Sequence, residues 1–500
     1  MVAQGSDRSI DGIQIREVNG KRSSQQLGKN VFSAAARAVD GSLADRIQKQ
    51  QDWRKNYLRP VRETVEAGAI SPKDALLIAS EGLKALSGNV TFSRKGEEST
   101  ITEAFGRYEE PLLQTAVIEG QQEPEGHLAI PYKGRHLTGN ALRVQLETWQ
   151  EAGTIEPSCA DAVGLVLSNP EWLDLSDTHI ALLGAAAEMG PLEMLCRWRA
   201  NVVAVDLPHR FLWERIVGFA RKGSGRLLAP VPSIPTSDHE LLDSAGADLL
   251  TRTPEIRTWL LGLDQPFVVG NYAYADGSDF VRVAAALDAL TSSLLHERHG
   301  LSVSYLATPT DVYAVPPEVV DAAHAGSERK GIIGPTLRTL SRKRLYKPNY
   351  SYMVEGEHPQ RWGISDCLVV QQGPNYALAK MIQRWRAITA REEGHLTSAN
   401  VAPATRTASV VKNKVLSSAY RGASSFGVEV FEPDTSRALM AALLVHDLRN
   451  PESPASPQVP LTHPFALFAH GAAHGGLWRM PFEPRSVLPL AVIGGLVKRH

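Results

Sequence analysis

His179-Ile-Ala-Leu-Leu-Gly184-Ala-Ala-Ala-Glu188-Met-Gly190 begins with a short apolar run, which predicts a buried β-strand, and continues as a turn of small residues. A helical pattern follows over residues 191–199, and Asn201-Val-Val-Ala-Val-Asp206 predicts a second strand that ends in an acid. Small residues let the backbone approach a pyrophosphate, a helix N-terminus offers free N–H groups, and the acid can hold ribose hydroxyls. The stretch therefore predicts the phosphate-binding half of a dinucleotide fold. The alternative is a buried strand-turn-helix unit that binds no ligand.

The residues that follow continue the alternation of strands and helices. An alternating order of this kind predicts an α/β fold, with a Rossmann-like, doubly wound parallel sheet. The predicted elements are a third strand at 247–250, a helix at 254–263, a fourth strand at 266–273, a helix at 279–298 and a fifth strand at 301–307.

Tyr376 and Lys380 lie four residues apart in a segment with a helical pattern, so both side chains rise from one helix face. A phenol titrates near ~10 in water, and an ammonium beside it favours the phenolate. The pair therefore predicts a proton-transfer site, although this spacing also occurs by chance in helices without catalytic function.

Taken in order, these features resemble the short-chain dehydrogenase/reductase family in an atypical, enlarged form, over residues 178 to about 410. The turn at 184–190 is similar to the Gly-x-x-x-Gly-x-Gly motif of the family, Tyr376 and Lys380 match its Tyr-x-x-x-Lys signature, and 400–403 resembles its Asn-x-x-x-Pro-Gly stretch. The resemblance implies Tyr376 as proton donor and acceptor, Lys380 as its partner, and Thr308 in the place of the catalytic serine. It also implies NAD or NADP as cofactor, with contacts from Gly184, Ala185, Met189, Gly190, Asp206, Asp248, Asn271, Lys380 and Pro403.

Within this resemblance, Asp206 favours NAD because its charge repels a 2′-phosphate, whereas Arg210 close behind it is compatible with NADP. The implied reaction is hydride transfer between the nicotinamide and a carbonyl or alcohol carbon of a small molecule.

Glu188 departs from the family pattern because it replaces the middle glycine of the turn. A carboxylate there would crowd and repel a pyrophosphate, so it turns outward, the cofactor sits differently, or binding has been lost. The hydroxyl that precedes the tyrosine is also unusual: Thr308 is 68 residues away (376 − 308), and Ser365, only 11 away, is the second choice.

An insertion at about 315–366 explains this long gap. It would emerge beside the substrate opening, since ligands bind at the carboxyl ends of parallel strands. A basic and aromatic cluster within it fits an acidic or phosphate-bearing substrate, although a solvated helix face is the plainer interpretation. The cluster contains Arg338, Arg342, Lys343, Arg344, Tyr346, Lys347, Tyr350 and Tyr352.

The regions outside 173–430 are predicted from composition and pattern. Residues 1–45 are polar and predict a flexible arm, 46–172 predict a mainly helical N-terminal region, and 431–500 predict an extension that packs near the substrate pocket. His470 and His474 have the spacing of two metal ligands on one helix face, but no third ligand is recognisable, and we predict no metal site.

The composition limits the functional classes. The chain has 500 residues, a formal charge of -1 and 43% apolar residues, as expected for a globular chain of two or three domains without a nucleic-acid footprint. Three scattered cysteines and the lack of a long apolar run predict a cytoplasmic protein that does not use a membrane. Pairing into a homo-oligomer through the tyrosine helix is an open expectation. The alternatives are a binding or scaffold protein that has lost redox chemistry and, less favoured, an S-adenosylmethionine-dependent methyltransferase.

Overall fold

The structure is a computed structural model that describes residues 11–108, 112–329, 341–342, 344–357 and 360–497. In chain order its strands are β1 (Gly12–Ile15), β2 (Val90–Arg94), β3 (Glu97–Ser99), β4 (Gln114–Glu119), β5 (Ile130–Tyr132), β6 (Arg135–Leu137), β7 (His179–Leu183), β8 (Asn201–Val205), β9 (Arg226–Val231), β10 (Val268–Asn271), β11 (Ser302–Ala307), β12 (Val312–Val315), β13 (Val354–Glu355), β14 (Arg361–Asp366) and β15 (Thr397–Val401). Its α-helices are α1 (Ser24–Arg37), α2 (Gly41–Lys49), α3 (Trp53–Asn56), α4 (Leu58–Gly68), α5 (Pro72–Gly88), α6 (Ile101–Arg107), α7 (Gly139–Glu151), α8 (Pro157–Ser168), α9 (Leu192–Arg197), α10 (Arg210–Arg221), α11 (Asp238–Ser244), α12 (Thr253–Leu261), α13 (Gly277–Glu297), α14 (Pro317–Arg329), α15 (Pro374–Glu392), α16 (Ala408–Lys412), α17 (Lys414–Gly422), α18 (Pro433–Arg449), α19 (Ala466–Ala469) and α20 (Pro484–Val497).

A seven-stranded, mostly parallel sheet lies at the centre of this α/β fold, in the order β15-β11-β10-β7-β8-β9-β4. Six strands are parallel, and β4 pairs antiparallel with β9 at one edge. The parallel strands start at the centre with β7 and continue outward through β8 and β9. The chain then returns to β10 beside β7 and continues outward on the other side through β11 and β15, so the strand order reverses between β7 and β10.

The sheet is buried on both faces because successive strand residues alternate between two hydrophobic cores. Ala181 and Leu183 point to the core that contains helices α12, α13 and α15, whereas Ile180 and Leu182 point to the core that contains α9, α10 and α18. The α/β class predicted from the sequence is therefore confirmed.

The third strand was predicted wrongly. It is β9, whereas residues 247–250 form a loop after α11. Pro230 lies inside β9 and argues against a strand in the sequence, because proline cannot donate to a ladder. In the structure the pairing of β9 with β8 ends at Leu228, two residues before Pro230. The parallel pairing therefore needs no hydrogen bond from the backbone nitrogen of Pro230.

Residues 11–45, predicted as part of a flexible arm, form β1, α1 and the start of α2 instead. Helix α1 buries Leu27, Val31 and Ala35, which share one face at a spacing of four residues. The ring of Phe32 meets the ring of Trp385 of α15 edge to face at 5.9 Å. The N-terminal helices thus form an additional layer on the helix that carries Tyr376.

Gly82 of α5 sets how closely this layer approaches α15. A β-carbon at Gly82 would lie 2.3 Å from Cζ3 of Trp385, whereas one at Gly88, in the same helix, would meet open space. We expect Gly82→Ala to lower the free energy of unfolding by about 1–3 kcal/mol through overpacking. Gly88→Ala should be neutral or slightly stabilising. Urea unfolding of both variants tests this, and equal stabilities would contradict the close packing.

The described residues of the predicted insertion at 315–366 lie outside the main sheet. Strands β12 and β14 pair antiparallel at its base, from Val312 with Asp366 to Val315 with Gly363, and β13 pairs with β14. Within the described ranges, no helix combines the length and the apolar character needed to cross a bilayer.

Candidate functional site

Tyr376 lies in the first turn of α15, close to the carboxyl end of β11. Gly373, with a φ of +83°, turns the chain into the helix, and Pro374 begins it. Burial raises the pKa of the Tyr376 phenol to about 12, although the side chains of Thr308, Thr310 and Gln372 interact with the phenol and lower its pKa. The structure therefore brings together Tyr376 and Thr308, which are 68 positions apart in the sequence.

Hydrogen bonds fix the path of the loop that follows β11. Thr308 Oγ1 lies 3.1 Å from Thr310 Oγ1, the Tyr313 hydroxyl donates to the Thr308 carbonyl at 2.7 Å, and Gln372 Nε2 donates to the Thr310 carbonyl at 2.9 Å. Ser365, the second choice from the sequence, is buried in β14, where its Oγ lies 3.6 Å from Cys367 Sγ.

Lys380 lies one turn beyond Tyr376 on the same helix. Its Nζ donates to Gln383 Oε1 at 3.1 Å and to the Leu306 carbonyl at 3.4 Å. Burial lowers the pKa of Lys380 to about 8, and the charge of Asp311 acts in the opposite direction. The sequence predicted that Lys380 lowers the pKa of Tyr376, and this is corrected: burial dominates, so the phenol stays protonated at neutral pH.

Asp311 and Arg384 belong to the same region and were missed by sequence reasoning. Asp311 is completely buried, and its Oδ2 lies 3.4 Å from Nε of Arg384. Arg384 follows Lys380 by four residues, so the sequence could have indicated it as a third polar side chain on the helix face of Tyr376 and Lys380.

The turn at 184–190 lies at the carboxyl end of β7. Gly184 has a φ of +91°, and a β-carbon there would lie 2.4 Å from the Cα of Ala273, so only glycine fits between the ends of β7 and β10. The Ala185 N–H donates to the Val205 carbonyl, and the Gly190 N–H donates to the Ala187 carbonyl. Both amides therefore already donate to carbonyl groups of the protein. Met189, which lies between them in the sequence, is half-buried.

Asp206 follows β8, as predicted, but its carboxylate is occupied. It accepts from the Ala186 N–H at 2.7 Å and from the Leu207 N–H at 2.8 Å. Burial raises the pKa of Asp206, and the two amides oppose that shift. In this conformation the Asp206 carboxylate therefore stabilises the turn through hydrogen bonds, whereas the sequence predicted that it binds the ribose hydroxyls of a cofactor.

Glu188 turns away from the turn and towards the segment after β15. Its two carboxylate oxygens accept from the Ala408 N–H at 2.9 and 3.1 Å, at the start of α16. Of the three outcomes predicted for Glu188, the structure shows the one in which its side chain turns outward. The hydrogen bonds from Ala408 connect the segment after Pro403 to the turn.

Three further predicted cofactor contacts lie elsewhere. Asn271 is 2% exposed and its Oδ1 accepts from the Thr291 hydroxyl, so it is a core residue that supports α13. Asp248 accepts from the Leu250 N–H in the loop after α11. Pro403 is buried behind β15, and its carbonyl accepts from the Thr405 hydroxyl at 2.8 Å.

A row of aromatic rings connects the two halves of the site. The ring of Tyr376 lies 5.9 Å from that of Phe280, which lies 4.7 Å from that of Tyr274. Tyr274 follows Ala273, the neighbour of Gly184. The turn and the tyrosine are therefore both at the carboxyl edge of the sheet, on either side of the place where the strand order reverses.

The remaining candidates have structural partners. His474 is buried, and its Nε2 lies 2.8 Å from Glu156 Oε1. Among the residues that the structure describes, no group of three or more His, Cys, Asp or Glu side chains could hold a metal ion. Of the basic and aromatic cluster, Arg338 and Lys343 lie outside the described residues, whereas Tyr346 packs against Phe482.

Comparisons of the chain with protein-family models, with curated proteins and with solved structures find no match.

Proposed function

We propose that the protein is an NAD(P)-dependent oxidoreductase with a Rossmann-like fold, which reduces a carbonyl or oxidises an alcohol with Tyr376 as general acid and base. The observation that carries the proposal is the convergence of Tyr376 and Thr308 at the carboxyl end of β11. This place adjoins the reversal of strand order between β7 and β10. In open parallel sheets, ligands bind at such a reversal.

The residues present fit a dinucleotide in part. Gly184 is required by the close approach of Ala273 after β10, and Tyr376, Thr308 and Lys380 suit the reacting end. Glu188 points away from the turn and accepts from the Ala408 N–H, so its carboxylate remains as a negative charge beside the turn.

When bound, the nicotinamide would supply the hydride. The protein supplies orientation and the proton. Tyr376 is protonated at neutral pH and can donate to a forming alkoxide, while the Thr308 hydroxyl positions the substrate oxygen. Lys380 lies one turn further along α15 and is mostly protonated at neutral pH, because its pKa of about 8 lies above neutrality, so it is a second proton donor of the site.

A binding or scaffold protein without redox chemistry is the second candidate. Two observations favour it: the carboxylates of Asp206 and Glu188 both bond backbone amides of the chain, and Asn271 faces the core. A direct test is titration of the protein with NADH, NADPH and S-adenosylmethionine, followed by nicotinamide fluorescence and thermal shift. Binding of NADH or NADPH supports the oxidoreductase, and binding of S-adenosylmethionine alone supports a methyltransferase. No response to any of the three supports the scaffold.

Replacement of Glu188 by Gln should strengthen nucleotide binding. The change removes a negative charge near the expected diphosphate position and weakens the contact with Ala408, and a charge pair near a protein surface is worth about 1–4 kcal/mol. We expect the Kd for NADH or NADPH to fall about tenfold, measured by fluorescence titration. Glu151→Gln, at the exposed C-terminal end of α7, is the control and should leave the Kd unchanged. An unchanged Kd in the Glu188 variant would show that the turn does not bind the diphosphate.

A further inference from the structure

Strand β4 lies at one edge of the central sheet, and among the described strands it pairs with β9 alone. The opposite edge is covered by the chain itself, because Thr397 of β15 donates its N–H to the Ala455 carbonyl. In the part of the chain that the structure describes, no backbone amide or carbonyl outside β9 bonds to the backbone of β4. The outer side of β4 is therefore a free sheet edge.

The register of β4 on β9 shows which backbone groups point outwards. Gly120, directly after β4, donates its N–H to the Gly225 carbonyl at 2.8 Å, and hydrogen-bonded positions alternate along an antiparallel pair. Pro230 agrees with this alternation, because it lies opposite Thr115 and has no N–H to donate to β4. The N–H and C=O groups that point away from β9 therefore belong to Thr115, Val117 and Glu119.

The sequence of β4 lacks the features that usually protect a free edge. Soluble proteins block such edges with lysine, with proline or with a β-bulge. Residues 114–118 contain no proline and no charge, and the pairing with β9 runs without interruption from Gln114 to Glu119. Val117 is 48% exposed and lies opposite the half-buried Leu228 of β9. An unprotected edge with an exposed apolar side chain favours pairing with another strand.

We propose that β4 pairs antiparallel with β4 of a second copy of the chain, around a two-fold axis at Val117. The axis places Val117 opposite Val117 of the second copy, and the outward N–H and C=O groups of these two residues bond each other. Thr115 then lies opposite Glu119 of the second copy, and Ala116 lies opposite Ile118. The central sheets of the two copies join into one continuous sheet.

The side chains of β4 are complementary to the strand itself, which favours a second copy as the partner. The two Val117 side chains cover each other. The Thr115 hydroxyl accepts from Trp259 Nε1 at 2.9 Å, so its own hydrogen can be donated to the Glu119 carboxylate of the second copy. Like charges do not meet across the axis, because Glu119 is the only charged residue of β4. Cross-strand pairs of these kinds stabilise a sheet.

The oligomeric state of the full chain tests this interface. The interface goes beyond the proposed oxidoreductase function, because it involves neither a nucleotide nor Tyr376. Sedimentation velocity at increasing protein concentration should show a reversible equilibrium of monomer and dimer, since one pair of strands is a small interface. Val117→Lys places two ammonium groups opposite each other and should raise the Kd of the dimer about tenfold or more. Val144→Lys, at an exposed valine of α7, is the control and should leave the Kd unchanged.

A charge rescue separates the interface from a folding defect. Val117→Glu should weaken the dimer as Val117→Lys does, because two carboxylates then lie opposite each other. An equimolar mixture of the two variants should dimerise again, because a lysine of one copy then meets a glutamate of the other. Wild-type protein that stays monomeric, variants that dimerise like the wild type, or a mixture that stays monomeric would overturn the proposal.

Disulfide cross-linking locates the two-fold axis. The Cα atoms of a hydrogen-bonded antiparallel pair lie about 5.5 Å apart, within the range of a disulfide. Val117→Cys should therefore give a covalent dimer on mild oxidation, since the three native cysteines are buried. Glu119→Cys is the control, because four residues of offset separate the two 119 positions by about 14 Å. Cross-linking of the Glu119 variant to the same extent would place the axis elsewhere and overturn the proposed pairing.

Discussion

Replacement of Tyr376 by Phe should reduce carbonyl reduction by about 10²- to 10⁴-fold, the range expected for loss of a general acid. The ring and its packing at 5.9 Å from Phe280 remain, so the fold and the nucleotide Kd should change little. The hydroxyl that is lost interacts with Thr308 and is the group that we propose as the proton donor. The measurement is NADH or NADPH oxidation by the wild-type and variant proteins with a panel of aldehydes, ketones and quinones.

Tyr274→Phe is the matched control for this experiment. Tyr274 belongs to the same row of rings, but its hydroxyl donates to Asp276 at 3.0 Å. Turnover should survive this change. If Tyr376→Phe is fully active and Lys380→Met is inactive, the proton comes from the lysine, and our assignment of the general acid is wrong.

The sequence predicted the central α/β architecture because the signals there are local. The run from His179 to Gly190 contains a strand of apolar residues and a glycine that the structure uses at positive φ. The pair of Tyr376 and Lys380 was also found by local spacing, and the helix that carries them runs over Pro374–Glu392. Periodicity and turn residues are sufficient for such elements.

The contacts of the site could not be read from the sequence. A strand that ends in Asp206 indicates an acid at the sheet edge, but the hydrogen bond to Ala186 depends on the exact path of the turn. The ion pair of Asp311 with Arg384 joins positions 73 residues apart (384 − 311), and no local pattern indicates it. The pKa of Tyr376 was predicted in the wrong direction because burial, which dominates it, follows from tertiary packing.

The N-terminal segment shows a different limit. Its many Ser, Gln and charged residues obscured an amphipathic helix, in which polar positions face solvent and Leu27, Val31 and Ala35 face the core. Average composition predicts disorder here, whereas the spacing of the apolar residues predicts the helix.

The buried ion cluster around Glu156 gives the largest expected effect on stability. Glu156 precedes α8, and its carboxylate accepts from Nε and Nη2 of Arg479 at 2.8 and 2.6 Å and lies 2.8 Å from Nε2 of His474. Burial alone would raise the pKa of Glu156, but the hydrogen bonds from Arg479 and His474 outweigh it and lower the pKa to about 2. The cluster fixes the segment that follows α19 to the N-terminus of α8.

Replacement of Glu156 by Ala should lower the free energy of unfolding by about 3–5 kcal/mol, because Arg479 would lose its counter-charge and His474 would lose its hydrogen-bond partner. Because the pKa is lower in the folded state than in the unfolded state, the stabilisation is fully present above pH 4.5 and is lost as the pH falls towards 2. Thermal unfolding between pH 7 and pH 3 should therefore show that the stability of the wild-type protein falls more steeply with decreasing pH than that of the variant. The difference in slope corresponds to the uptake of about one proton on unfolding. The exposed Glu151, replaced by Ala, is the control and should change neither value. If both variants have the wild-type Tm and the wild-type pH profile, the cluster does not stabilise the fold, and another contact must hold the 470–480 segment against α8.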